Sequence, residues 1–179
     1  CKALNSIILN NNLTTILHYA FNGCSSLVTV NIPNSVTEMG EGIFAHCTKL
    51  QGFTGRYATN KGQLLIIGEA LIAAAPQSVT EVTIPDNVTN ICESAFTDCK
   101  KLKKVSMNNN VTRIGGGAFS GCTVLKSVQL SNNINKIEII TFSGCKALNS
   151  ITIPYSVKTI GGCAFSDCSA LTSISLPSV

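Results

Sequence analysis

The chain contains no tryptophan, and aromatic and charged residues make up only 6% and 12% of its 179 positions. Two histidines and three aspartates, Asp86, Asp98 and Asp167, are a thin stock for acid–base chemistry. The register places His18 and His46 at outward, solvated positions and suggests neither a carboxylate pair nor a Ser-His-Asp set, so an enzyme is not expected. A net charge of +4 with so few stacking rings is also too little for nucleic-acid binding. The longest apolar stretch, Leu64 to Ile67 and Ala70 to Ala75, is interrupted by Gly68 and Glu69 and falls far short of the ~20 residues a bilayer demands. Gly115-Gly116-Gly117 does not follow the strand of a βαβ unit, so no phosphate or dinucleotide loop is expected, and no cofactor.

What the chain does have is repetition. Phe96, Phe119, Phe142 and Phe165 recur every 23 residues, as do Phe21 and Phe44, while Phe44 and Phe96 are 52 apart. Around each Phe the same apolar set returns, for example Leu148, Ile151, Ile153, Val157, Ile160, Ala164, Phe165 and Cys168. A fixed period of this length marks a solenoid, in which no coil can bury its apolar side alone and each must stack on its neighbours. Within a unit, L-x-x-Φ-x-Φ alternates with period two and reads as a short strand. Pro33, Pro85, Pro154 and Pro177, or the runs Asn10-Asn11-Asn12 and Asn108-Asn109-Asn110, end it. V-x-x-I-G reads as a second extended piece. Leu17, Cys92 and Glu138 stand where Gly40, Gly115 and Gly161 do, so a left-handed backbone is not expected there. A-F-x-x-C suits one helical or 3-10 turn.

Nine cysteines suggest disulfides or a metal at first sight, but seven (Cys1, Cys24, Cys47, Cys99, Cys122, Cys145, Cys168) share one repeat position. That favours a ladder of buried, reduced thiols packing as small apolar side chains. Disulfides between neighbouring coils stay open as the alternative, because the strand-like spacing permits them. Neither Cys92 nor Cys163 makes a C-x-x-C pair, and no ligand cluster has the spacing of a zinc site, so no metal is expected.

Between Phe53 and Ser78 the pattern breaks, and one A-F-x-x-C is missing. Gly52, Gly55 and Gly62 loosen this coil, and Gly68-Glu69 reads as a two-residue hairpin turn between Leu64-Leu65-Ile66-Ile67 and Ala70-Leu71-Ile72-Ala73. The hairpin either extends the sheet and fills the core, or marks a binding feature. Cys1 occupies the position of Cys24, and the chain stops inside another unit at Val179. It therefore reads as an excerpt of a longer protein, one domain over 1–179 truncated at both ends, with the irregular unit at about 50–78.

The full pattern, L-x-x-Φ-x-Φ-P-x-x-V-x-x-I-G-x-x-A-F-x-x-C, resembles the BspA-like leucine-rich repeat family over nearly the whole chain, including the hairpin-bearing Gly62 to Ile72 segment. The resemblance implies a right-handed leucine-rich repeat solenoid, mainly β with short helical turns. It also implies a secreted or surface-displayed protein of a bacterium or protozoan living with a host, adhering to host extracellular or cell-surface proteins. It carries no catalytic motif and names no ligand.

The residues themselves offer two candidate surfaces. Lys100-Lys101-Leu102-Lys103-Lys104, with Lys126 one period after Lys103, forms a basic patch that is either a solvated face or a landing site for an acidic or sulfated-glycan partner. Stacking eight strands would align Ser6, Thr29, Glu81, Lys104, Ser127, Ser150 and Ser173 in one row. A second row would hold Ile8, Asn31, Thr54, Thr83, Ser106, Gln129, Thr152 and Ser175. This hydroxyl-rich sheet suits contact with an extended partner or a protein surface, or else its Ser and Thr are simply tolerated facing solvent. The candidate contact residues are Lys103, Lys104, Ser106, Lys126, Ser127, Gln129, Ser150 and Thr152. A passive spacer displaying a neighbouring domain is the alternative role. Three N-x-T sequons, at Asn12, Asn87 and Asn110, share one repeat position and are products of the repeat.

Overall fold

The computed structural model describes residues 1–176; Pro177 and the last two positions, to which the repeat pattern also extends, lie outside the described residues. Its strands are short because each coil turns a corner every few residues. In chain order they are β1 (Thr15–Ile16), β2 (Thr29–Asn31), β3 (Glu38–Met39), β4 (Gly52–Thr54), β5 (Ala58–Thr59), β6 (Leu64–Ile67), β7 (Ala70–Ala74) and β8 (Glu81–Thr83). There follow β9 (Asn90–Ile91), β10 (Lys104–Ser106), β11 (Arg113–Ile114), β12 (Ser127–Gln129), β13 (Lys136–Ile137), β14 (Ser150–Thr152), β15 (Thr159–Ile160) and β16 (Ser173–Ser175). L-x-x-Φ-x-Φ supplies the first row of strands (β2, β4, β8, β10, β12, β14, β16), and V-x-x-I-G the second. Parallel pairing keeps the repeat register: Lys104 lies beside Ser127, and Thr15 beside Glu38.

The corners behave as the sequence predicts. The Asn10 side chain accepts the Asn12 N–H at 2.9 Å and Asn108 accepts that of Asn110 at 2.8 Å, an Asx turn in place of proline. The A-F-x-x-C segment, in contrast, forms no helix of either kind among the described residues. Its N–H groups alternate in destination: those of Ser94, Phe96 and Asp98 donate to Gly116, Ala118 and Ser120 of the next coil, while those of Ala95, Thr97 and Cys99 close local turns. Ser94 and Asp98 adopt φ of 58° and 59°, left-handed values that a helix cannot contain. Stacking thus captures half the donors a helical turn would need.

Inside the middle coils nearly all of the expected set is buried, whereas in the last described coil Ile160 is exposed and Val157 and Phe165 are half-buried, and in the first Leu4, Ile7, Leu9 and Leu13 are half-buried. Phe96, Phe119, Phe142 and Phe165 stack with centroids 5.0, 5.4 and 5.5 Å apart. Where the next Phe is missing, Phe53 takes its place against Phe44 at 5.4 Å, tilted by 58°. Phe53 is only 2% exposed, so at this position the irregular coil is packed as closely as the regular ones. Cys24, Cys47, Cys99, Cys122, Cys145 and Cys168 are buried free thiols, as the ladder reading expects, whereas Cys1, at the same position in the first coil, is exposed. Cys122 Sγ donates to the Phe96 carbonyl at 3.1 Å, and Cys145 to that of Phe119 at 3.2 Å.

The irregular unit is the hairpin expected, β6 antiparallel to β7, with Ile67 opposite Ala70 and Gly68 left-handed at the turn. Through β7 it joins β9 and β11, giving the order β11-β9-β7-β6-β5. It both extends the sheet and fills the core. Leu64, Ile66 and Leu71 pack with the C-terminal coils, and Leu65, Ile72 and Ala73 with the N-terminal ones. A strand buried on both faces has no need of alternation, which is why this stretch reads as continuous apolar sequence.

Candidate partner-binding face

The eight-strand rows are not continuous. Residues 1–10 contain no strand, so Ser6 and Ile8 do not extend them. The first row falls into β2-β4, β8-β10-β12 and β14-β16. Beyond β4 the chain folds back so that the Gly62 carbonyl accepts the Phe53 N–H at 2.8 Å, occupying the edge that β8 would take. Within the central sheet, Glu81, Lys104 and Ser127 lie side by side, as do Thr83, Ser106 and Gln129. Lys103, Lys104, Lys126, Ser127 and Gln129 are exposed and Ser106 is half-buried. Ser150 and Thr152 are exposed too, but they pair with Ser173 and Ser175 in a separate sheet. Glu81 next to Lys104 offsets part of the basic patch, and Lys101 is occupied, donating to the Gln77 carbonyl at 2.9 Å.

Where β12 and β14 part, a groove of about 490 Å³ opens, lined by Val128, Gln129, Leu130, Asn132, Thr152, Pro154, Tyr155 and Ser156. The flat surface inferred from the repeat therefore has a depression on it. Tyr155 is 57% exposed and stands at the repeat position held elsewhere by Asn11, Asn34, Asp86, Asn109 and Asn132. That departure from an otherwise Asn/Asp position was a readable signal.

A second constellation was missed. Because one A-F-x-x-C is absent, the corner at 41–47 stacks on the corner at 92–98, and the Gly42 N–H donates to the Glu93 carbonyl at 3.1 Å. His46 Nδ1 lies 2.8 Å from Asp98 Oδ2, so this histidine, though exposed as expected, is paired. Arg113 holds Glu41 by two bonds, of 2.6 and 3.2 Å, and the Tyr19 hydroxyl donates to Glu93. Partial burial pushes the Glu41 carboxyl up, but the Arg113 hydrogen bond and charge together with the Glu93 N–H outweigh it and hold it below the usual carboxylate value. The Glu93 hydrogen bond, burial and the carboxylates of Glu93 and Glu41 push the Tyr19 phenol up to about 12. The 52-residue gap between Phe44 and Phe96 was the available clue. A search at period 23 cannot find pairs such as His46 and Asp98, which are 52 apart.

Comparison with known proteins comes down to the scaffold. The sequence pattern described as the BspA type leucine rich repeat region matches residues 1–61 and 66–179 in six copies, and it names no reaction. A leucine-rich cell surface protein of Faecalibacterium prausnitzii has a similar structure, with a TM-score of 0.87 and 29% identity over 99% of this chain and 55% of that one. A leucine-rich repeat protein of Bacteroides ovatus gives 0.63 at 25% identity over 92% and 41%. The pneumococcal vaccine antigen PcpA gives 0.80 at 23% over 92% and 42%, a likeness of fold alone. The chain thus spans about half the length of the structures it resembles. No curated protein matches it.

Proposed function

The chain belongs to the BspA-type leucine-rich repeat family, and from that premise we propose that it is the partner-binding region of a secreted or cell-surface adhesion protein. The partner would be a host extracellular or cell-surface protein, acidic or glycan-bearing, met by the first-row face. The observation that carries this reading is the in-register exposure of Lys104 and Ser127, flanked by Lys103 and Lys126, on a parallel sheet whose inward residues Val82 and Val105 are buried and Val128 half-buried. Such a face can change its outward residues without cost to the fold, which suits a scaffold that varies its ligand. The cell-surface description of the Faecalibacterium protein supports the location.

Bulky charged substitutions at Ser127, Ser150 and Thr152 should abolish binding to host extracellular protein or host cells and leave the melting temperature unchanged. Reversing Lys103, Lys104 and Lys126 to Glu should slow association and remove its salt dependence. If neither set alters binding, the chain is a spacer that displays a neighbouring domain.

A further inference from the structure

Each coil normally hydrogen-bonds to the next along three sides, and between the β12 coil and the β14 coil one of these sides is open. The second row is intact, with Lys136 beside Thr159 and Ile137 beside Ile160. The corner is intact as well: the Phe142 N–H donates to Ala164 at 2.8 Å and that of Gly144 to Ser166 at 2.7 Å. Among the described residues, no ladder joins β12 to β14. The two coils are therefore hydrogen-bonded on two sides and lack the ladder on the third, beside the 490 Å³ groove. That volume lies within the roughly 300–1,000 Å³ of small-molecule sites. It is unsuited to an added peptide strand, which would need about 4.8 Å of separation from each neighbour and hence parting of the coils on all three sides.

The lining has a particular chemistry. None of the eight residues is charged. Tyr155 offers an exposed aromatic ring, and Leu130 and Pro154 add apolar floor. Gln129 and Asn132 each carry an amide that donates and accepts, and Thr152 and Ser156 carry hydroxyls that do the same. The Ser156 Oγ is buried without a protein hydrogen-bond partner, as is that of Ser35 at the same repeat position, so this hydroxyl is closed to a ligand and the exposed amides and the Thr152 hydroxyl supply the polar edge. A sugar ring has the complementary surface, an apolar C–H face edged by neutral hydroxyls.

We propose that this groove is a subsite for a neutral pyranose, with Tyr155 as the stacking platform and Gln129, Asn132 and Thr152 as hydroxyl partners. The proposal rests on the reading of the first-row face as a contact surface only in that Gln129 and Thr152 belong to both. It specifies a glycan part of the partner, and a neutral one rather than a sulfated one.

Saturation-transfer NMR on the whole chain with lactose, cellobiose and N,N′-diacetylchitobiose tests it without any host protein. Transfer to the ring C–H protons of at least one disaccharide is expected, with affinity lowered about tenfold or more in Tyr155→Ala and in Tyr155→Asn, which restores the residue of the other coils. Gln129→Ala should weaken binding as well, and Lys104→Glu should leave it unchanged. Circular dichroism melts, expected to be the same for all variants, separate loss of the site from loss of the fold. Absence of transfer from all three sugars, undiminished transfer in Tyr155→Ala, or a preference for a sulfated disaccharide that disappears in Lys104→Glu would each overturn the proposal. Since no host protein takes part, the partner-binding reading stands or falls on its own substitutions.

Discussion

At Cys122 a fully buried thiol donates to the Phe96 carbonyl. Burial pushes the thiols of Cys47 and Cys145 up to about 12, against an ordinary value near 9. Seven of the nine cysteines are buried, while Cys1 and Cys163 are exposed. Native-state labelling with a thiol reagent should therefore modify two cysteines promptly and the other seven only on unfolding; prompt reaction of Cys122 or Cys145 would sink the buried-ladder account. A raised folded-state pKa adds stability that is complete below the unfolded value and disappears as pH rises through the folded one. Urea midpoints should thus fall as pH rises from about 9 towards 12, with Tyr19 adding to the decline. Tyr19→Phe should flatten that limb; a stability constant to pH 11 would contradict the assignment. Phe119→Ala should cost ~3–5 kcal/mol through the cavity it leaves. Phe53→Ala should cost about as much, because Phe53 is nearly as buried and is the stacking partner of Phe44.

At the scale of the element, the second row closes between regular coils where glycine stands, whereas Cys92, at the same position, closes against the hairpin strand β7, donating to the Leu71 carbonyl at 3.0 Å. A Cβ on Gly115 would strike the backbone nitrogen of Glu93, and one on Gly161 would come within 2.6 Å of that of Ile139. At both positions the ladder to the preceding coil is made: Gly115 donates to Ile91 and Gly161 to Ile137, each at 2.8 Å. Glu138 occupies the same position in the intervening coil, and there the pairing of β13 with β11 is absent among the described residues. The glycine is retained for close approach and not for its freedom of φ, in keeping with its ordinary backbone angles. Gly115→Ala should destabilise by roughly 1–3 kcal/mol, the cost of overpacking. Glu138→Gly should add hydrogen-exchange protection at residues 112–114 and 136–138; protection no greater than in the parent would show that Glu138 is not what holds the row open.

At the scale of the whole molecule, the hairpin divides one solenoid into two packed cores and at the same time joins them. Across that junction run His46–Asp98 and Arg113–Glu41, the latter between side chains 48% and 21% exposed. Exposure on that scale limits such a pair to about 1 kcal/mol, so Arg113→Ala should lower stability modestly and leave unfolding a single transition. Leu71→Asp, which places a charge inside the septum, should instead unfold the C-terminal coils and loosen the N-terminal ones. Glu41 has a depressed pKa, so its contribution is present above the ordinary carboxylate range and lost as pH falls through the lowered value. Glu41→Gln should reduce the acid-limb slope of stability against pH; an unchanged slope would remove Glu41 from the clamp.

The sequence by itself determined the period, most of the inward set, the two strand-forming segments of each coil and the thiol and phenylalanine ladders, because each is a local pattern copied from coil to coil, and the hairpin, because a turn dipeptide between two apolar runs is local too. It also carried the identity of the outward residues Lys103, Lys104 and Lys126, since alternation along a strand sends every second residue to solvent. Tertiary structure alone decided what depends on how one coil meets another. The closing segment is a chain of turns and not a helix, because the next coil takes half its N–H donors. His46 meets Asp98 and Glu41 meets Arg113 because a missing corner lets the stack skip a unit. Ser127 and Ser150 lie in different sheets, and a groove opens beside Tyr155, because a ladder depends on how closely the backbones of two coils approach, and a repeat pattern treats those coils as identical.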